Sequence, residues 1–327
     1  MRILFNVTPL QYLGNYSSNP RKATLTMVKS KLNRTIKFFE LQAVDNDGKE
    51  VINVADGVFS HVHHSCQQVT LGYQDIRRNG IDYRGWSGST QVTQEDFLLI
   101  GKRRLPVDNP GVDRGDKLPS PLELEAGGQL VEPAYVVPVL GTPYIAVLGT
   151  SNCPRSGALA EWMTVVGGYR DKDLEIHLAP VLRQDAREKL RHAKGALGFT
   201  VKIPVNASRS IHGRLGDAFR AAEGFAGGDG SLLFEFSLGR HKKGRDSETL
   251  LLNEISKVAD IPETEQAKAR LRIDDHNGTT THIVDFIQDK LTARTTIVCD
   301  NEVPLSHDTA VSELKSAISQ NREHLRN

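Results

Sequence analysis

The stretch Leu197-Gly198-Phe199-Thr200-Val201-Lys202-Ile203-Pro204 decides how this chain is built. Leu197, Phe199, Val201 and Ile203 are apolar at every second position, the pattern of a half-buried strand, and Pro204 ends it. Upstream, Leu174, Ile176 and Leu178 alternate with Glu175 and His177, and the polar run Arg183–Ala193 suits a helix. Downstream, Ile211, Leu215, Ala218, Phe219 and Ala222 fall on one helical face closed by Gly224. Gly227-Gly228-Asp229-Gly230 turns the chain into a second alternating strand, Leu232, Phe234, Phe236, Leu238. A helix over about 247–259 leads to Pro262. Strands follow at Ala269–Ile273, Ile283–Ile287 and Thr295–Cys299, and a helix from about Ser306 buries Leu314 and Ile318. Strands and helices mix without the regular strand–helix–strand spacing of a parallel sheet. The class is therefore α+β, with mixed, largely antiparallel sheets and packed helices in two subdomains.

Working outward to the N-terminal side, Ile36–Val44 reads as a strand. Asn46-Asp47-Gly48 supplies an Asp-Gly turn, and Val51–Val54 returns as a hairpin partner. After a polar stretch, the apolar run Asp96–Gly101 reads as a buried strand. Residues 101–133 carry five prolines and no usable period, so a long exposed loop is expected there. Tyr135–Leu148 forms one or two strands. Ser156 is read as the N-cap of a helix whose Leu159, Trp162, Met163 and Val166 share a face. These readings divide the chain into a β-rich part, 1–150, and an α+β part, 151–327.

The chain has 327 residues, long enough for two domains with cores of their own. No apolar run reaches the ~20 residues of a membrane span; the longest, residues 135–149, is broken by prolines. MRILFNVTPLQYLG has neither the apolar core nor the cleavage site of a secretory signal, and Cys66, Cys153 and Cys299 are scattered and odd in number. A cytoplasmic protein without a disulfide framework is expected. With 41 Lys+Arg against 40 Asp+Glu, the net charge is +1, which on its face argues against a nucleic-acid binder. The distribution argues otherwise. Arg21, Lys22, Lys29, Lys31, Arg34 and Lys37 lie between Pro20 and Phe38 with no acidic residue among them. Arg183, Arg187, Lys189, Arg191, Lys194, Lys202, Arg209 and Arg214 lie between 183 and 214 against only Asp185 and Glu188. Arg240, His241, Lys242, Lys243 and Arg245 form a tight cluster just past a strand. Residues 246–327 compensate with fifteen acidic against nine basic residues. Such segregation leaves a locally positive surface that can neutralise phosphates, although basic runs also serve merely as solvated faces.

Catalytic patterns are thinner. His61-Val62-His63-His64-Ser65-Cys66 places His61 and His63 on one face of an extended strand, but no second ligand pair follows at zinc spacing. Asp229 with Glu235, and Asp274-Asp275 with His276, loosely echo carboxylate sets that hold Mg²⁺ in nucleases. The position two after Glu235 is Ser237, where that pattern needs a lysine, and Asp-Asp-His-Asn-Gly is an ordinary turn. Gly227–Gly230 precedes a strand and lacks a Lys-Ser/Thr, so it is no phosphate loop, and no nucleophile elbow is present. The expectation is a non-enzyme without metal or cofactor. A metal-dependent nuclease effector and a protein–protein adaptor are the alternatives.

One resemblance rests on the order of segments rather than on a short motif. Tyr144–Gly149, the amphipathic helix 156–166, Leu174–Leu182 and the strand Phe199–Val205 with its following helix resemble the core of the RexA family of phage exclusion proteins, over about residues 140–250. The resemblance implies a fold similar to RdgC, the ring-forming recombination-associated protein. It implies a homodimer that binds double-stranded DNA with little sequence preference, and that acts with a RexB-like membrane protein in prophage-mediated exclusion, or abortive infection, of other phages. The family's basic segment is similar in place to Arg240, Lys242, Lys243 and Arg245. Together with Arg183, Arg187, Lys189, Arg191 and Lys194 these are the expected DNA contacts. The chain is longer than the family at 101–133 and around 223–230.

Overall fold

The computed structural model describes residues 29–45, 50–52, 57–68, 74–105, 111–112, 120–122, 124, 128–205, 213–226, 230–238, 245–259, 264, 266–275, 278–300 and 305–326. The expected α+β class is what they form: helices packed on antiparallel sheets.

One long strand organises the larger sheet. β1 (Lys29–Asp45) is 17 residues long. β2 (Glu50–Ile52) pairs with it as the hairpin partner, while the Asn46–Gly48 turn lies outside the described residues. After α1 (Gly57–Gln67) come β3 (Gln74–Arg78), β4 (Ile81–Ser89) and β5 (Asp96–Arg103). The short strands β6 (Gly111–Val112) and β7 (Ser120–Pro121) pair with each other in a small separate sheet. β8 (Val131–Pro138) and β9 (Tyr144–Gly149) then form a hairpin, so both ends of the expected 101–133 loop are strand. α2 (Ser156–Val166) leads to β10 (Leu174–Pro180), and the sheet order is β10-β1-β9-β8-β5-β4-β3.

The middle strands are buried on both faces, which is why they read as continuous apolar runs. Leu98, Ile100, Val136, Ile145, Phe39 and Leu41 pack with Val62 of α1 and Leu159, Trp162 and Met163 of α2. The alternate residues Phe97, Tyr135, Val137, Tyr144, Ile36 and Phe38 turn to the opposite face. There they meet Val311 and Leu314 of the last helix, α6 (His307–Gln320).

The second sheet is an insertion. β10 leaves the larger sheet at Val181, whose N–H donates to the Phe38 carbonyl. The chain returns at Leu291, whose N–H donates to the Val181 carbonyl, with Leu182 bridged to Lys290. It continues as β15 (Thr292–Asp300) along Lys29–Lys37 of β1. β10 takes Phe39–Asp45 of the same edge, because β9 holds the other edge over Ile36–Glu40. Between these two strands lie α3 (Gln184–His192), β11 (Ala193–Pro204), α4 (Gly213–Ala226), β12 (Ser231–Ser237), α5 (Arg245–Ala259), β13 (Gln266–Asp275) and β14 (Gly278–Asp285). The insert's sheet runs β12-β11-β13-β14 over a core of Phe199, Val201, Ile203, Phe219, Leu271 and Phe286. The larger sheet thus draws strands from both sides of residue 150.

Three local expectations change. Ser156 is the first helical residue of α2 and Arg155 is the N-cap, extended at φ −72°, ψ 160° with no side-chain cap bond. His61 and His63 sit on a helix rather than a strand: Val58, Phe59, Val62, His63 and Cys66 are its buried stripe, a helical spacing inside a run that alternation alone could not separate. α4 continues past Gly224 to Ala226. At the C-terminal helix the expectation holds, with the Ser306 hydroxyl accepting the Thr309 N–H at 3.1 Å.

Candidate nucleic-acid interface

The helices α1 and α2 cover only part of the larger sheet. Beyond Phe39 their face of β1 is bare among the described residues, and Lys31, Asn33, Thr35 and Lys37 are all exposed. Antiparallel register sets Val298, Thr296, Arg294 and Thr292 of β15 directly opposite them, and these four are exposed too. The residues between turn the other way: Ile36 and Ile297 are fully buried towards α6. Strict alternation on two neighbouring strands therefore builds a face with three cations, four hydroxyl or amide groups, one valine and no carboxylate. Cross-strand neighbours stand roughly 5 Å apart, so the cations are spaced by the sheet rather than by flexible loops. The Thr296 hydroxyl donates to Asn33 Oδ1 at 2.9 Å, tying one pair of the face together. Glu313 of α6 accepts from the Thr295 hydroxyl on the opposite side, which keeps that carboxylate off the basic face.

One end of this face deepens into a cleft of about 510 Å³ beside the start of α2. Arg34, Lys37 and Arg155 supply its cations, Thr35, Thr150, Ser151 and Ser156 its hydroxyls, and Phe39, Val147, Pro154 and Leu159 its apolar floor. Burial pushes the Cys153 thiol in its wall upwards, against the pull of the nearby Lys37, so the sulfur adds no negative charge. The adjacent Glu132 is engaged by Arg104 and by the Thr150 hydroxyl at 3.0 Å.

Of the sequence-expected DNA contacts, Arg183, Arg187, Lys189, Arg191 and Lys194 lie along α3 and its flanks. Arg183 caps the start of α3 and donates to the Gln288 carbonyl at 2.8 Å, with Asp289 at 3.5 Å. Arg187 donates to the His324 carbonyl. Arg183 thereby ties together the two ends of the insert, and Arg187 ties the insert to the turn after α6. Lys189 pairs with Asp185 at 3.6 Å. Arg191 and Lys194 are exposed. Arg240, Lys242 and Lys243 lie outside the described residues, and Arg245 opens α5 with its side chain undescribed.

Of the basic run before Phe38, the structure places Lys31, Arg34 and Lys37 beside Arg155 and Arg294, which sequence reasoning did not single out. A signal for Arg294 existed: in Thr292-Ala293-Arg294-Thr295-Thr296-Ile297, Ala293 and Ile297 share a parity opposite to Arg294. What was not legible is that this strand lies against residues 29–37. Of the nuclease candidates, the structure describes the side chain of Glu235 alone. Glu235 is exposed on β12, Asp229 and His276 lie outside the described residues, and the side chains of Asp274 and Asp275 are undescribed. Among the described residues no group of three His, Cys, Asp or Glu side chains is placed to hold a metal ion, and no helix is long and apolar enough to cross a membrane. Neither a family model nor a curated protein matches this sequence.

Proposed function

We propose that this protein is a non-enzymatic, sequence-tolerant binder of double-stranded DNA that works through the bare face of β1 and β15. The observation carrying the reading is the register that aligns Lys31, Lys37 and Arg294 on one sheet face without a carboxylate. Lysines and arginines so placed neutralise phosphates and release counterions, an interaction blind to base sequence and steeply weakened by salt. Threonine and asparagine side chains between them suit phosphate oxygens as hydrogen-bond donors. Arg191 and Lys194 on the insert extend the contact set.

The resemblance to the RexA family supplies the setting: a homodimer in the bacterial cytoplasm, with an RdgC-like fold, acting beside a RexB-like membrane protein in phage exclusion. A two-fold pair doubles the contacts, so individually weak patches add up to a useful affinity.

Mobility-shift titration of unrelated duplexes tests the reading. Binding at low salt with similar affinity for each sequence is expected. Replacing Lys31, Lys37 and Arg294 by alanine together should abolish most of it while Mg²⁺ leaves plasmid DNA intact. Absence of any shift at low salt sinks the proposal, and Mg²⁺-dependent cleavage replaces it with a nuclease.

A further inference from the structure

The cleft at the end of the basic face has a composition the face lacks. The face is flat and polar. The cleft joins three cations to an apolar floor made by Phe39, Val147, Pro154 and Leu159, all buried. Its volume of about 510 Å³ exceeds what a bare phosphate ion needs and falls within the range of small-molecule sites. Lys37 and Arg155 come from two separate elements, β1 and the loop into α2, and face one space, with Arg34, whose guanidinium donates to the Asn33 carbonyl at 3.3 Å, at its edge. Arg155 is exposed and makes no cap bond with its side chain, so its guanidinium is not spent on the helix it begins. The hydroxyls of Thr35, Ser151 and Ser156 on the rim can donate to phosphate oxygens, while that of Thr150 is held by Glu132, and no carboxylate lines the space.

From this pairing of a cationic rim with an apolar floor we infer that the cleft binds a nucleotide bearing a terminal phosphate. The phosphate sits among Arg34, Lys37 and Arg155, and the sugar and base cover the apolar floor. The ligand comes from one of two sources sharing this chemistry: the 5′-phosphorylated end of a DNA strand, or a free nucleoside monophosphate. The choice of ligand class rests on the nucleic-acid reading, but Arg34 and Arg155 line the cleft alone, whereas Lys31 and Arg294 belong only to the open face.

That division makes the test separable. Full-length protein is titrated with a blunt duplex carrying 5′-phosphates, the same duplex with 5′-hydroxyls, covalently closed circular DNA, and a deoxynucleoside monophosphate. The phosphorylated duplex should bind about tenfold tighter than its hydroxyl twin, the scale of one charge-assisted hydrogen-bond set. R34A/R155A should erase that preference yet leave affinity for circular DNA unchanged, with an unaltered melting temperature showing that the fold persists. K31A/R294A should do the reverse. Competition by the free monophosphate at micromolar concentration assigns the site to a free nucleotide; competition only by phosphorylated ends assigns it to strand termini. Equal affinity for both duplexes together with no monophosphate binding overturns the inference. Loss of circular-DNA binding in R34A/R155A also overturns it, because the cleft is then just part of the face. If wild-type protein ignores circular DNA yet binds the monophosphate, the duplex proposal fails and the cleft stands.

Discussion

Residues 39–45 and residues 31–37 belong to one strand, yet the first half is sealed in a core and the second half presents lysines to solvent. Both halves alternate, and Ile36 of the second half and Phe38 at the junction turn towards α6. They differ on the other face, where Phe39, Leu41 and Ala43 lie beneath α1 and α2 while Lys31, Asn33, Thr35 and Lys37 are exposed. The helices stop, and at that point the side chains change from apolar to cationic. Burial fixes the residue type in one half, and its absence leaves the other half free to carry function.

The largest effect should come from the covered half. Leu41→Ala leaves a cavity against the α1–α2 layer and should lower stability by about 2–5 kcal/mol, read from urea denaturation. A loss under about 1 kcal/mol would mean the layer is not close-packed there. Next comes Gly85→Ala on β4, whose new methyl would stand 2.2 Å from Cζ2 of Trp162 in α2. That overpacking should cost about 1–3 kcal/mol; a neutral result would show that the indole moves freely. Ser306→Ala removes the α6 cap and should cost about 1 kcal/mol without changing DNA affinity, because α6 lies on the other side of the sheet.

The smallest effect is electrostatic. Hydrogen bonds from Arg84 at 2.7 Å hold the Asp75 carboxyl below its ordinary value, against its partial burial. A depressed carboxylate stabilises the fold at pH above its unfolded value, about 3.9, and that contribution is lost as the pH falls through the lower folded value. Arg84→Met should therefore lower the melting temperature at pH 7 and bring the two proteins together in strong acid. The same gap at both pH values would remove the ion pair from the account.

The fold was legible where alternation was clean. Phe199–Ile203 and Leu174–Leu178 read correctly because two-residue periodicity is a local signal, and the start of the last helix near Ser306 was also found, whereas the hydroxyl cap expected at Ser156 falls one residue late. α1 and the β3–β4 hairpin were hidden in a stretch of mixed polarity, where helical and extended periods give similar patterns over a few residues. The site was half legible. Charge counting found Lys31, Arg34 and Lys37, but Arg294 joins them only through long-range strand pairing across the whole insert, which no local pattern encodes. Arg187 illustrates the converse, a basic residue that charge counting offers to DNA and that packing assigns to the His324 carbonyl.

The contrast between the two halves of β1 is tested most directly by the salt dependence of duplex affinity, measured for wild type and for K31A/K37A/R294A over the same salt series. Each phosphate contact contributes roughly 0.9 to the slope of log affinity against log salt, so three lost contacts should flatten it by about 2.7. Stability should stay within about 0.5 kcal/mol, since all three side chains are exposed. An unchanged slope with weaker or equal binding would place the DNA elsewhere and contradict the assignment of the bare half of β1 as the binding face.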